Sequence, residues 1–137
     1  MRKYALPKDL RYTYHHEWAR IENDRTVLVG LTDYAFEDTT GVGSRAILHA
    51  ELPDVGKRIG RAESIAMIET EKNVLEIPSP LTGEILEVNE DLKDDPTLIG
   101  SDPYGRGWIV KLRVIDLKQI EGLMDSRKYR KHIDGLS

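Results

Sequence analysis

Lys72 is the residue whose type and neighbours point most directly to chemistry in this chain. It lies in Glu69-Thr70-Glu71-Lys72-Asn73, between the apolar-rich runs 63–69 and 74–77, and asparagine is a residue type that tolerates the left-handed backbone of tight turns. The pattern predicts a hairpin with Lys72 at its tip. A lysine held there carries its amine on a four-carbon stem clear of the body, the geometry needed to attach a long prosthetic arm that visits other active sites. Pro78 and Pro80 stiffen the exit from this hairpin, and Gly83 permits a bend into the next strand. By itself a lysine in a turn is most often only solvated, and Glu69 and Glu71 beside it read equally well as surface charges or as groups that an attaching enzyme recognises.

The elements that must hold this tip are short. An opening hairpin runs over 13–31 and turns at Asn23-Asp24. Apolar runs follow at 46–52, 63–69, 74–77, 84–88 and 108–114, each bounded by Gly, Pro or Asp. This spacing predicts a mainly β fold, a flattened barrel or sandwich. Thr32 and Asp33 are N-cap candidates for a short helix through Tyr34-Ala35-Phe36 that Gly41 and Gly43 end. After Val114 the period becomes helical: Asp116 caps a helix carrying Leu117, Ile120, Leu123 and Met124, and Asp125 caps a second carrying Tyr129 and Ile133. One domain is predicted over 1–137, with 116–134 as its C-terminal helical extension packed on the sandwich. Trp18 and Trp108 are read as buried between sheets and helices, Trp108 opening its strand.

Composition narrows the chemistry. The 137 residues carry 20 basic and 24 acidic side chains, a net charge of −4, and no cysteine. Disulfides, thiolate metal sites and a protein thiol nucleophile are thereby excluded, so any sulfur redox chemistry must come from an attached cofactor. The chain lacks the basic excess that nucleic acid binding demands. Its apolar stretches are only strand-length, which predicts neither a membrane span nor a secretory signal and points to the cytoplasm. His15, His16, His49 and His132 have no regular ligand spacing, so no metal site is expected. The neighbours His15 and His16 should face opposite sides of a strand. Arg127-Lys128 and Arg130-Lys131-His132 read as a solvated helix face, and Lys57, Arg58 and Arg61 as a solvated loop or a dock for acidic partners.

Glu-Thr-Glu-Lys followed by an apolar strand and Pro-Ser-Pro-Leu-Thr-Gly-Glu-Ile resembles the attachment hairpin of lipoyl and biotinyl carrier domains. Further landmarks resemble the glycine cleavage system H protein family. They are His16-Glu17-Trp18, Gly30-Leu31-Thr32-Asp33-Tyr34-Ala35, Glu51-Leu52-Pro53-Asp54-Val55-Gly56, Val88-Asn89 and Asp102-Pro103-Tyr104-Gly105-Arg106-Gly107-Trp108. The resemblance covers nearly the whole chain. It implies two antiparallel sheets of the lipoyl/biotinyl type and a non-catalytic carrier with lipoic acid in amide linkage to Lys72. Amide formation removes the lysine charge, so the arm can enter an apolar groove. Biotin is disfavoured, because biotin carriers place methionines directly beside the lysine and here Met67 lies further off. The implied partners are a lipoate ligase or lipoyl transferase, glycine decarboxylase, aminomethyltransferase and dihydrolipoyl dehydrogenase.

The chain also departs from that family's pattern. Glu-Thr-Glu-Lys-Asn stands where Glu-Ser-Val-Lys-Ala is usual, and about five residues are added around 39–45. The resemblance implies an arm cleft made by the glutamate of His-Glu-Trp, a small hydroxyl residue two places before it, and an aspartate on the strand after the lysine. Glu17 keeps the first, His15 replaces the second and Glu76 the third. The altered cleft leaves a second pathway open: an H-like lipoate-binding protein carrying sulfur for a heterodisulfide-reductase-like complex in sulfur oxidation. A domain that keeps the fold only to bind proteins is the remaining alternative.

Overall fold

The computed structural model describes residues 4–35, 47–71 and 73–136. Within them lie β1 (Arg11–Tyr12), β2 (Glu17–Ile21), β3 (Thr26–Leu31), β4 (Ile47–Glu51), β5 (Arg58–Ile59), β6 (Ser64–Thr70), β7 (Val74–Pro78), β8 (Gly83–Val88) and β9 (Val110–Val114). Four short helices follow β8: α1 (Asp91–Asp94), α2 (Leu98–Ser101), α3 (Lys118–Glu121) and α4 (Ser126–Asp134). The strands form a six-stranded sheet in the order β1-β2-β3-β9-β8-β5 and a three-stranded sheet in the order β4-β6-β7. Every pairing is antiparallel. The mainly β fold of two antiparallel sheets expected from strand spacing is what the chain adopts.

The main core lies between the sheets, where Val27, Val29 and Leu31 of β3, Ile85 of β8 and Leu112 of β9 meet Ile65 and Ile68 of β6 and Ile77 of β7. Side chains alternate across a strand, so in β2 Glu17 and Ala19 share one face and Trp18 takes the other. Glu17 pairs with Leu31 and Ala19 with Val29, both core residues, whereas Trp18 belongs to a second cluster with Leu10, Tyr12, Met124, Tyr129 and Ile133. The buried run Glu17-Trp18-Ala19 therefore reflects a strand covered on both sides. Its outer cover is α4.

Asp125 caps α4 as the sequence predicts, whereas α3 spans only Lys118–Glu121, with Leu117 at its N-cap and Leu123 and Met124 beyond its end. The Asp125 carboxylate accepts from the Lys128 amide at 2.8 Å, and the Asp116 carboxylate accepts from the Lys118 amide at 3.1 Å. The amides of Tyr12 and Met124 each donate to the other's carbonyl at 2.8 Å, and the Tyr12 and Tyr129 rings stack with centroids 4.7 Å apart.

Several expectations change. His15 and His16 lie before β2, in the turn that leaves β1, and not on a strand; His16 is buried with φ +71°, while His15 is exposed. Trp108 is half-buried at the edge of the second cluster, and β9 begins only at Val110. Gly83 serves a close approach more than a bend, since a Cβ there would stand 2.6 Å from the Arg113 carbonyl oxygen of β9. The helices α1 and α2 were not anticipated, because four residues are too few to show a period; they plug the core with Leu92, Leu98 and Ile99. The helix expected after Thr32-Asp33 and the added residues around 39–45 lie almost wholly outside the described residues.

Candidate functional site

The β6–β7 hairpin closes between Thr70 and Asn73. The Thr70 amide donates to the Asn73 carbonyl at 2.8 Å, the Asn73 amide donates to the Thr70 hydroxyl oxygen at 3.0 Å, and that hydroxyl donates to the Asn73 carbonyl at 3.2 Å. Lys72, between these two residues in sequence, lies outside the described residues. Glu71 and Glu69 are exposed, and Glu69 pairs with Val74 on β7 and His49 on β4.

Down β7 from the hairpin, the structure brings Glu76 to the same cavity as His15 and Glu17. Its volume is about 40 Å³, and Leu31, Ala35, Ile68 and Ile77 complete its apolar wall. Glu76 is exposed at the rim, whereas Glu17 is only 1% exposed. A larger cavity of about 250 Å³ shares His15 and Glu17 with the first, and is further lined by Tyr12, Tyr14, Arg61, Pro80, Leu123 and Met124.

Glu17 is the unusual group. Its Oε1 accepts from the Thr13 hydroxyl at 2.9 Å, but its Oε2 is buried without a hydrogen-bond partner among the described residues. Burial pushes its pKa from the usual carboxylate range up to about 8, only partly opposed by the Thr13 hydrogen bond. Such a group can donate a hydrogen bond from Oε2 when neutral and face a cation when ionised.

Thr13 was not singled out by the sequence. Its hydroxyl reaches Glu17 from four residues upstream, whereas the family resemblance directed attention to position 15. Its β-turn gives the physical reason: the same Thr13 oxygen accepts from the His15 amide at 3.2 Å and the Glu17 amide at 3.1 Å, a local threonine turn that a pattern of strands does not reveal. Arg61, which the sequence offers as a solvated loop residue or a dock for acidic partners, lines the larger cavity beside Ala62, a non-glycine residue held at φ +74°.

The remaining landmarks hold this frame. His16 Nδ1 and the Tyr129 hydroxyl share a hydrogen bond of 2.7 Å, and that hydroxyl lies 2.8 Å from Thr32 Oγ1. Trp18 Nε1 donates to the Pro103 carbonyl at 3.0 Å, and Asn89 Nδ2 donates to the carbonyls of Arg106 and Trp108, each at 2.7 Å. The 102–108 loop is thus pinned from both β2 and the end of β8.

Comparison with known proteins places the chain in a family. The family description Glycine cleavage H-protein matches residues 10–135. The glycine cleavage system H protein of Alteromonas mediterranea is 40% identical over 129 residues, covering 94% of this chain and 96% of that protein. That of Myxococcus xanthus is 43% identical over 124 residues, covering 90% and 92%. The probable glycine cleavage system H protein of Thermococcus gammatolerans is 42% identical over 135 residues, covering 98% and 96%. The crystal structure of a glycine cleavage system H protein from Mycobacterium marinum superposes with a TM-score of 0.81 at 31% identity, covering 94% of this chain and 99% of that one.

Proposed function

Because the chain belongs to the glycine cleavage H-protein family, we propose that it is a non-catalytic lipoyl carrier with Lys72 as its attachment residue. Lipoate in amide linkage there would supply a dithiolane that accepts, carries and releases a group, chemistry this cysteine-free chain cannot supply itself. The residues present suit that cofactor. Hydrogen bonds between Thr70 and Asn73 close the hairpin, and Lys72 falls between these two residues in sequence. The strand leaving it, β7, leads past Glu76 to a cavity ending at Glu17.

The observation that carries the reading is the buried, unpartnered Oε2 of Glu17 in that cavity. Buried polar atoms are normally paired, so an orphan oxygen on a residue that lines a cavity marks a position where a ligand would complete the set. An aminomethyl load brings an amine, which a carboxyl group can hydrogen-bond when neutral and stabilise when ionised. The apolar wall of Leu31, Ala35, Ile68 and Ile77 keeps bulk water from that end of the cleft. Glycine decarboxylase would then load the arm, an aminomethyltransferase unload it and dihydrolipoyl dehydrogenase reoxidise it, after a lipoate ligase or lipoyl transferase had attached it. The sulfur-carrying alternative would want cations around the load; His15 and Arg61 offer that, but the names of the relatives above all specify glycine cleavage.

Peptide mass spectrometry after co-expression with a lipoate ligase tests the attachment. The lipoyl mass is expected on the peptide containing Lys72; finding it on Lys57 or Lys93 instead would overturn the assignment.

A further inference from the structure

The hydroxyl of Thr13 has one hydrogen to give and two lone pairs to receive with. Both lone pairs are engaged: the oxygen accepts from the amides of His15 at 3.2 Å and Glu17 at 3.1 Å. Its hydrogen is therefore committed to Glu17 Oε1, 2.9 Å away. An oxygen that accepts this hydrogen bond is the unfavourable place for the acid proton, which leaves the unpartnered Oε2 to carry it. We propose that Thr13 is a positioning residue that holds Glu17 Oε1 as an acceptor and so places the exchangeable carboxyl proton on Oε2.

When a neutral primary amine reaches Oε2, the O–H bond breaks, its electron pair stays on oxygen and a new N–H bond forms. The product is an ammonium facing a carboxylate; departure of the neutral amine returns the proton. That the amine belongs to a lipoyl-borne load rests on the carrier reading, but the role of Thr13 does not. The ionisable groups facing Glu17 across the two cavities are His15 in its own turn, Glu76 from β7, Arg61 from the β5–β6 connection, and the phenols of Tyr12 and Tyr14. The balance at Glu17 is set by burial, which favours the protonated state, and by the Thr13 hydrogen bond, which favours the ionised one. A raised pKa, near 8, is consistent with a proton held at neutral pH.

The test uses the full chain without lipoate, labelled with carboxyl-¹³C glutamate, and follows the Glu17 resonance through a pH titration, with Glu17→Gln to assign it. Thr13→Val, which removes the donor to the ionised form, is expected to raise the midpoint by about half a pH unit or more, and Thr13→Ser to return it to the wild-type value. An unchanged midpoint in Thr13→Val would overturn the proposal. In the wild-type chain the Thr13 hydroxyl proton should exchange slowly with water; rapid exchange would overturn it independently of any variant. Failure of lipoylation at Lys72 would defeat the carrier reading and leave these results untouched.

Discussion

The Trp18 indole lies against the backbone of Gly30 on the neighbouring strand, so close that a Cβ at Gly30 would stand 2.5 Å from Trp18 Cζ2. The ring cannot step aside, since it is fully buried, stacks under the Arg20 guanidinium at 5.3 Å and donates to the Pro103 carbonyl. Gly30→Ala should therefore destabilise the fold by about 1–3 kcal/mol, the usual cost of overpacking. Urea denaturation at constant pH reads this as a lower midpoint with an unchanged slope. A wild-type midpoint would mean that the ring is free to move.

The two tryptophans should separate in the same assay. Trp18→Ala removes a fully buried ring at the centre of the second cluster and should cost about 3–5 kcal/mol. Trp108 only flanks that cluster and is half-buried, so Trp108→Ala should cost clearly less. Equal losses would contradict the burial difference.

That difference marks where sequence stops being informative. The hairpin turn at Asn23 and the Asp125 cap follow from local turn and capping chemistry, which is why both act where expected, whereas the order of strands in the sheets rests on long-range pairing such as β3 with β9. His15, Glu17 and Glu76 were brought together by resemblance, and the fold does line one cavity with them. What stayed hidden depends on three-dimensional proximity. The half-burial of Trp108, the left-handed His16, the one-turn plugs α1 and α2 and the Thr13 hydroxyl on Glu17 leave no period or turn signature in the chain.

Glu17 gives stability a specific pH dependence. Its folded pKa, about 8, is above the value of 4.5 expected when unfolded, so between these values the folded chain holds a proton that the unfolded chain has lost. The associated stability is fully present below pH 4.5 and is lost as pH rises through about 8. By neutral pH, holding that proton in the folded chain has cost on the order of 3 kcal/mol of stability. Glu17→Gln should flatten the fall in denaturation midpoint between pH 5 and 8 (roughly this window), and a wild-type slope in that variant would assign the effect to another group.

Lys72→Arg should take no lipoyl group yet denature at the wild-type midpoint, because three hydrogen bonds between Thr70 and Asn73 close its hairpin. Intact mass and thermal melting of the same sample check both halves. A large drop in melting temperature would show that Lys72 supports the fold.

The carrier assignment is tested most directly by supplying the lipoylated chain with glycine and a glycine decarboxylase and measuring methylamine loading by intact mass, with His15→Ser in parallel. Loading of the wild-type chain is expected, and Glu17→Gln should lose it from the arm faster. Absence of loading in both the wild-type chain and His15→Ser, with the lipoyl group shown to be intact and oxidised, would contradict the assignment.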